Sequence, residues 1–140
     1  MNIKLIYRKK IASFNSIENV FNTLLPFFNS SIQKVELIFD NKGLFNRIKN
    51  IIQVKKLKSS IIHITGHDHY IAYGCNKNKT ILTIHDIEFL KRSSGIKKYL
   101  LKKLWMDWPI QNVKMITTVS EFSKSEILSL NNYKTPIHVI

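Results

Sequence analysis

The chain has 140 residues, enough for one domain with a sizeable core and too few for two. A hydrophobic share of 44% excludes a disordered chain, and a single cysteine, Cys75, excludes an internal disulfide and fits a reducing compartment. Lys and Arg outnumber Asp and Glu by 22 to 9, for a formal charge of +13 that favours anionic partners.

The charge is spread evenly over both halves, so no basic arm for nucleic acid is indicated, and no nucleic-acid partner is expected. No stretch approaches the roughly 20 apolar residues needed to cross a bilayer. MNIKLIY carries no apolar signal core. The expected location is cytoplasmic, with contact at the inner face of an anionic membrane as an extension of the basic surface.

In chain order, Ile3, Leu5 and Tyr7 mark a first strand ending at Arg8. Ser16 is placed to cap a helix through Phe28, with Ile17, Val20, Phe21, Leu24 and Leu25 at helical spacing and Pro26 near its end. Lys34–Phe39 reads as a second strand, closed by the turn Asp40-Asn41-Lys42-Gly43. A helix over Leu44–Ile52 follows, with Leu44, Phe45, Ile48, Ile51 and Ile52 on one side. Ser59–Thr65 reads as a third strand broken at Gly66, Asp68–Cys75 as a short helix, and Lys79–Ile84 as a fourth strand.

Gly95–Trp108 carries the strongest helical pattern, with Leu100, Leu101, Leu104, Trp105 and Trp108 on one face and Lys97, Lys98, Lys102 and Lys103 toward the other. It reads either as a helix docked on a sheet or as one that also touches an anionic membrane, and Pro109 is expected to end it. Lys114–Val119 reads as a fifth strand. Ser123 with Glu126 has the spacing of a capping box for a helix through Leu130, and Ile137–Ile140 starts a sixth strand. Alternating strands and helices predict an α/β fold, a Rossmann-like parallel sheet with helices on both faces. Because the sequence stops inside a strand, residues 1–140 are expected to be one domain cut short before a second.

Two apolar runs end abruptly in polar clusters, as buried parallel strands do where they deliver functional groups. One leads from Ile84 into His85 and Asp86, the other from Val119 into Ser120 and Glu121. Gly66-His67-Asp68-His69 follows the third strand in the same way. His and Asp suit zinc, iron or manganese, and the HDH triplet resembles the second half of the HxHxDH motif of metallo-β-lactamase-like hydrolases. Its upstream histidine is missing, with Ile64 and Thr65 in that region, and no metal ligand is assigned. The loop reads equally as a polar turn with a capping aspartate or as a substrate-contacting loop. His85 reads as a general base or orienting group, as a metal ligand, or as a buried histidine bonded to backbone.

GxGxxG and GxxxxGK[ST] are both absent, so no phosphate-binding glycine loop and no cofactor are implied. Arg8, with Lys9 and Lys10, is placed to meet an anionic ligand. Cys75 has no activating context.

The segments HITGHDHYIAYGCNKNKTILTIHDIEFL and KKYLLKKLWMDWPIQNVKMITTVSEFSKSEI, with the closing IHVI, resemble the N-terminal half of GT-B glycosyltransferases of family 4. The resemblance implies the acceptor-side domain of an enzyme that moves a sugar from a nucleotide-sugar donor with retention and without a metal. It implies that His85 is the active-site histidine near the reacting bond. Ser120 and Glu121 would border the cleft, and Gly66, His67, Asp68 and His69 would face the acceptor, a sugar or lipid-linked molecule. The glycine-rich loop of many members is replaced here by Arg8-Lys9-Lys10-Ile11-Ala12-Ser13. The donor would be gripped by a C-terminal domain that these residues do not include, so this domain alone is expected to be inactive. A metal-dependent hydrolase using the HDH loop and a non-catalytic basic binding module are the alternatives.

Overall fold

A computed structural model describes residues 2–10, 16–27 and 31–140. Among these, six strands form one sheet in the order β2-β1-β3-β4-β5-β6, every neighbouring pair parallel. The strands are β1 Asn2–Tyr7, β2 Ser31–Glu36, β3 Ile61–Ile64, β4 Thr80–Thr83, β5 Met115–Thr118 and β6 Ile137–Val139. The helices are α1 Ser16–Leu24, α2 Leu44–Lys55, α3 Glu88–Lys91, α4 Gly95–Leu101, α5 Trp108–Gln111 and α6 Glu121–Leu130. A 3-10 helix, His69–Gly74, lies between β3 and β4, and a π-helix, Lys102–Asp107, joins α4 to α5. This is a Rossmann-like α/β fold.

Strand alternation sends side chains to two cores. Ile6, Ile62, Ile64, Leu82, Ile84 and Ile116 enter the main core beneath α2, the 3-10 helix and α6. Leu5 and Tyr7 point the other way and pack with Phe21 of α1. Helices therefore lie on both faces. The side chains of Ser16, Ile17 and Leu24, and residues Ile11, Ala12, Ser13 and Phe28, fall outside the described set. Val20 faces solvent, and a 3-10 turn, Leu25–Phe27, containing Pro26 follows α1.

β2 runs Ser31–Glu36 rather than Lys34–Phe39. The reason lies in α2, whose side chains replace the ladder beyond Leu37. Gln53 Oε1 accepts from the Ile38 amide at 3.1 Å, and the Asn50 side chain bonds both the amide (3.2 Å) and the carbonyl (2.9 Å) of Phe39. α2 extends to Lys55, and its expected apolar side is mostly outward. Leu44, Phe45, Ile48 and Ile52 are exposed, while Asn50 and Val54 are buried.

The helix expected to stop at Pro109 continues through it to Gln111. Proline has no N–H to donate to a carbonyl in the preceding turn. Here the orphaned acceptors find side-chain donors on the 3-10 helix. His69 Nδ1 donates to the Trp105 carbonyl at 2.8 Å, and the Tyr73 hydroxyl to the Leu104 carbonyl at 3.2 Å. The wide π turn creates the opening, and Trp108 N–H bonds back to Lys103 O across it. The expected inner face of this helix is also displaced. Met106, Asp107, Pro109 and Ile110 are buried, Leu101 and Trp105 half-buried, and Leu100, Leu104 and Trp108 exposed.

Ser120, not Ser123, caps α6: its Oγ accepts from the Ser123 amide at 3.1 Å. Ser123 Oγ instead donates to the His85 carbonyl at 2.9 Å, and Glu126 pairs with Lys91.

Candidate functional site

The strand order reverses direction between β1 and β3, and open α/β sheets bind ligands beyond the strand carboxyl ends at such a switch point. A cavity of about 460 Å³ lies there. Arg8 and Lys9 enter it from the end of β1, Asp40 and Asn41 from beyond β2, His67, Asp68 and His69 from beyond β3, and His85 and Asp86 from beyond β4. Phe89, Ser93, Lys97, Leu101 and Trp105 close the wall.

The β3 exit is shaped by backbone. Gly66 has φ 145°, a conformation suited to glycine, and His67 follows at φ 47° in the left-handed region that costs a histidine about 1 kcal/mol or more. This turn lifts the exposed His67 ring to within 6.4 Å of the His85 ring, the two stacked at 25°. Asp68 then precedes the 3-10 helix, almost fully buried, and its Oδ1 has no hydrogen-bond partner among the described residues.

His85 is fixed by Thr65. Its Nε2 lies 2.9 Å from the Thr65 carbonyl, which can only accept, so Nε2 carries the proton. Nδ1 of the neutral ring is then a lone-pair acceptor. His85 can take a hydrogen bond or a proton from a ligand hydroxyl at Nδ1. It donates there only as an imidazolium. His69 is the reverse case, with Nδ1–H held by the Trp105 carbonyl and Nε2 left as the acceptor. Among the described residues, no group of three or more His, Cys, Asp or Glu side chains could hold a metal ion.

Of the residues marked out in the sequence, Arg8, His67, Asp68, His69, His85 and Asp86 share this cavity, and Gly66 bends the chain into it. Asp86 Oδ1 also accepts from the Glu88 amide at 3.0 Å, which starts α3. Ser120 and Glu121 are not among its lining residues. Ser120 is spent as a helix cap, and Glu121 projects into solvent, 3.8 Å from Lys124. Cys75 is inert, its thiol pushed up to about 12 by burial. The sequence pattern missed Asp40, Lys97 and Trp105, because the fold brings them from a turn and a helix distant in sequence.

Burial pushes His69 down to about 4, against the bond to the Trp105 carbonyl. On the other sheet face His63 is likewise pushed down to about 4 by burial, with the charge of His85 adding, and its Nε2 lies 2.7 Å from Thr83 Oγ1. Burial pushes Asp68 up to about 6, opposed by a hydrogen bond with Asn41 and the charges of Arg8 and Arg47.

Both histidines have folded pKa values below their ordinary 6.5. Unfolding therefore takes up their protons between pH 6.5 and about 4, and stability falls as pH falls. Asp68 is raised above 3.8, so it works oppositely between about 6 and 3.8. Two histidines against one aspartate leave about one proton taken up on unfolding between about pH 4 and 6. The expected slope there is about 1.4 kcal/mol per pH unit, stability rising with pH. Urea unfolding from pH 4.5 to 7.5 measures it, and a flat profile would contradict the neutral buried histidines.

Comparisons with protein-family models, with curated proteins and with solved structures give no match to this chain.

Proposed function

We propose that this domain forms the acceptor-side wall of a sugar-transfer cleft, resembling the N-terminal half of a GT-B glycosyltransferase of family 4. The observation that carries the reading is the cavity at the β1/β3 switch point, lined by a His85 whose Nε2 is held by Thr65 so that Nδ1 is left as the acceptor. Its size falls in the range of small-ligand sites. Imidazole and carboxylate groups suit sugar hydroxyls, the Phe89 and Trp105 rings suit the apolar faces of a sugar, and Arg8, Lys9 and Lys97 suit phosphate oxygens.

In this reading a nucleotide-sugar donor is gripped mainly by a second domain, whose cationic groups stabilise the departing diphosphate. The acceptor hydroxyl oxygen bonds to the anomeric carbon as the bond to the diphosphate breaks, and the hydroxyl proton passes to the diphosphate. His85 positions a donor-sugar hydroxyl through Nδ1.

The test uses the native gene product with a panel of radiolabelled nucleotide sugars. His85→Ala is expected to lower kcat by about 100-fold. His85→Gln, whose amide can still donate to the Thr65 carbonyl, serves as the folding control and is expected to lose most of the rate too, since it lacks a basic Nδ1. Full activity in both variants makes His85 structural. No transfer by the wild-type gene product across the panel rejects the reading.

A further inference from the structure

A second cavity, of about 490 Å³, lies at the other end of the sheet, beside the amino ends of β3 and β4. Its floor is apolar: Val54 and Ile62 are buried, and Leu57 and Cys75 are half-buried. Its rim carries Lys55 from the last turn of α2, Lys58 from the chain entering β3, and Lys79 from the residue before β4. All three lysines are exposed. Gly74 ends the 3-10 helix hard against α2, where a Cβ would stand 2.4 Å from the Ile51 carbonyl oxygen, and the cavity opens beside this contact.

The charge on this cavity is of one sign. No acidic side chain is among its lining residues, and Lys55, Lys58 and Lys79 have no ion-pair partner among the described residues. From Asn41 to His85 the sequence holds one acidic residue, Asp68, and it lies with the first cavity beyond the carboxyl end of β3. Cations of one sign set against a low-dielectric wall raise the local concentration of anions. Other polar groups at the rim are already committed. The Tyr73 hydroxyl donates to the Leu104 carbonyl at 3.2 Å and the Ser59 hydroxyl to the Ile61 carbonyl at 3.0 Å. Asn76 Oδ1 accepts from the Asn78 amide at 3.0 Å, so Asn76 offers a ligand only its N–H donors. The end of α2 does not oppose an anion strongly, because the Gln53 and Val54 carbonyls are bonded by the Lys56 and Leu57 amides.

Lysines alone make a solvated surface. Here they frame a concave apolar floor, with donors only at the rim, in a volume within the range of small-ligand sites. We infer that this cavity binds a small molecule made of an apolar body and a phosphate head. The body covers Val54, Leu57, Ile62 and Cys75, and the phosphate meets the ammonium groups of Lys55, Lys58 and Lys79 and the Asn76 amide. The site shares no lining residue with the first cavity, so it does not rest on the sugar-transfer reading. It lies at the end of β3 and β4 away from His85, so its ligand does not compete with one bound there.

The test is an amide NMR titration of the 140-residue chain with phenyl phosphate, with inorganic phosphate as the head alone and benzyl alcohol as the body alone. Phenyl phosphate is expected to shift the amides of Val54–Ser59 and Tyr73–Asn76 with a dissociation constant of about millimolar, and each half alone to bind more weakly. Lys58→Ala with Lys79→Ala is expected to weaken that binding by about tenfold or more. Both side chains are exposed, so the melting temperature is expected to stay unchanged. Any shifts around His67 and His85 are expected to be the same in this variant as in the wild type. Three results overturn the inference: no shifts in Val54–Ser59 and Tyr73–Asn76, shifts there that the lysine variant leaves intact, or inorganic phosphate binding as tightly as phenyl phosphate.

Discussion

Asp107→Ala is expected to destabilise the fold by about 3–5 kcal/mol, the largest effect of any single substitution considered. The carboxylate is 1% exposed at the end of the π-helix. Lys102 Nζ reaches both of its oxygens at 3.0 Å, Lys103 lies at 3.2 Å, and the Tyr133 hydroxyl donates to Oδ1 at 2.6 Å. Burial alone would raise the carboxyl's pKa, but the bonds from Tyr133, Lys102 and Lys103 outweigh it and hold it below the ordinary value. Removing the anion leaves two half-buried lysines and the half-buried Tyr133 hydroxyl without their shared partner and cuts the tie between this helix and the segment leading to β6. The urea midpoint measures the loss. Asp107→Asn tests the charge itself, and if it proves as stable as the wild type, the ion pairs contribute nothing and only shape matters. Because the folded pKa is depressed, this contribution is present above the ordinary carboxylate pKa near 3.8 and fades as pH falls through the folded value.

Asn50→Ala is expected to cost about 3 kcal/mol. Asn50 is fully buried in α2 and makes three hydrogen bonds, to the amide and carbonyl of Phe39 and to the Tyr70 hydroxyl at 2.9 Å. Truncation leaves all three groups without that partner beneath the helix. Asn50→Asp keeps the acceptor for the Phe39 amide and can accept from the Tyr70 hydroxyl, but it loses the donor to the Phe39 carbonyl and buries a carboxylate, so it too should be strongly destabilised. A midpoint within error of wild type for both variants would mean that water replaces the side chain without cost.

Both residues explain where sequence pattern stops being informative. β1, β3, β4 and β5 were legible because strands buried on both faces are apolar runs. β2 was misplaced because Ile38 and Phe39 look like strand, yet their backbone groups are bonded by Gln53 and Asn50 of α2. Nothing local to residues 34–39 signals that. Pro109 reads as a helix stop by local rules, and only the donors His69 and Tyr73, distant in sequence, let the helix pass it. The apolar residues of α2 and of the 95–111 helix suggested inward faces, but their period matches a surface stripe equally well, and pattern alone does not say which side meets the sheet.

The candidate site was partly legible for a related reason. His67, Asp68, His69, His85 and Asp86 directly follow two strands that are neighbours, so their clustering follows from the sheet. Ser120 follows β5 in the same manner, but the α6 backbone claims its hydroxyl first. Trp105 and Lys97 reach the cavity from a helix whose path depends on the π turn, which no simple periodicity describes.

The position of β1 in the sheet has a consequence for biosynthesis. It is made before either of its neighbours yet lies between them, paired with β2 on one side and with β3 on the other. Ile3 must wait for Ile61, roughly 60 residues later, which at ribosomal speeds is about 3–12 s. Until β2 follows, both edges of β1 are unsatisfied, and the edge that meets β3 stays open for the whole interval. Such long-range pairing slows folding and leaves the nascent chain open to capture by chaperones or by strands of other molecules. The strand that anchors the finished site is thus the segment most exposed to aggregation while the chain is being made.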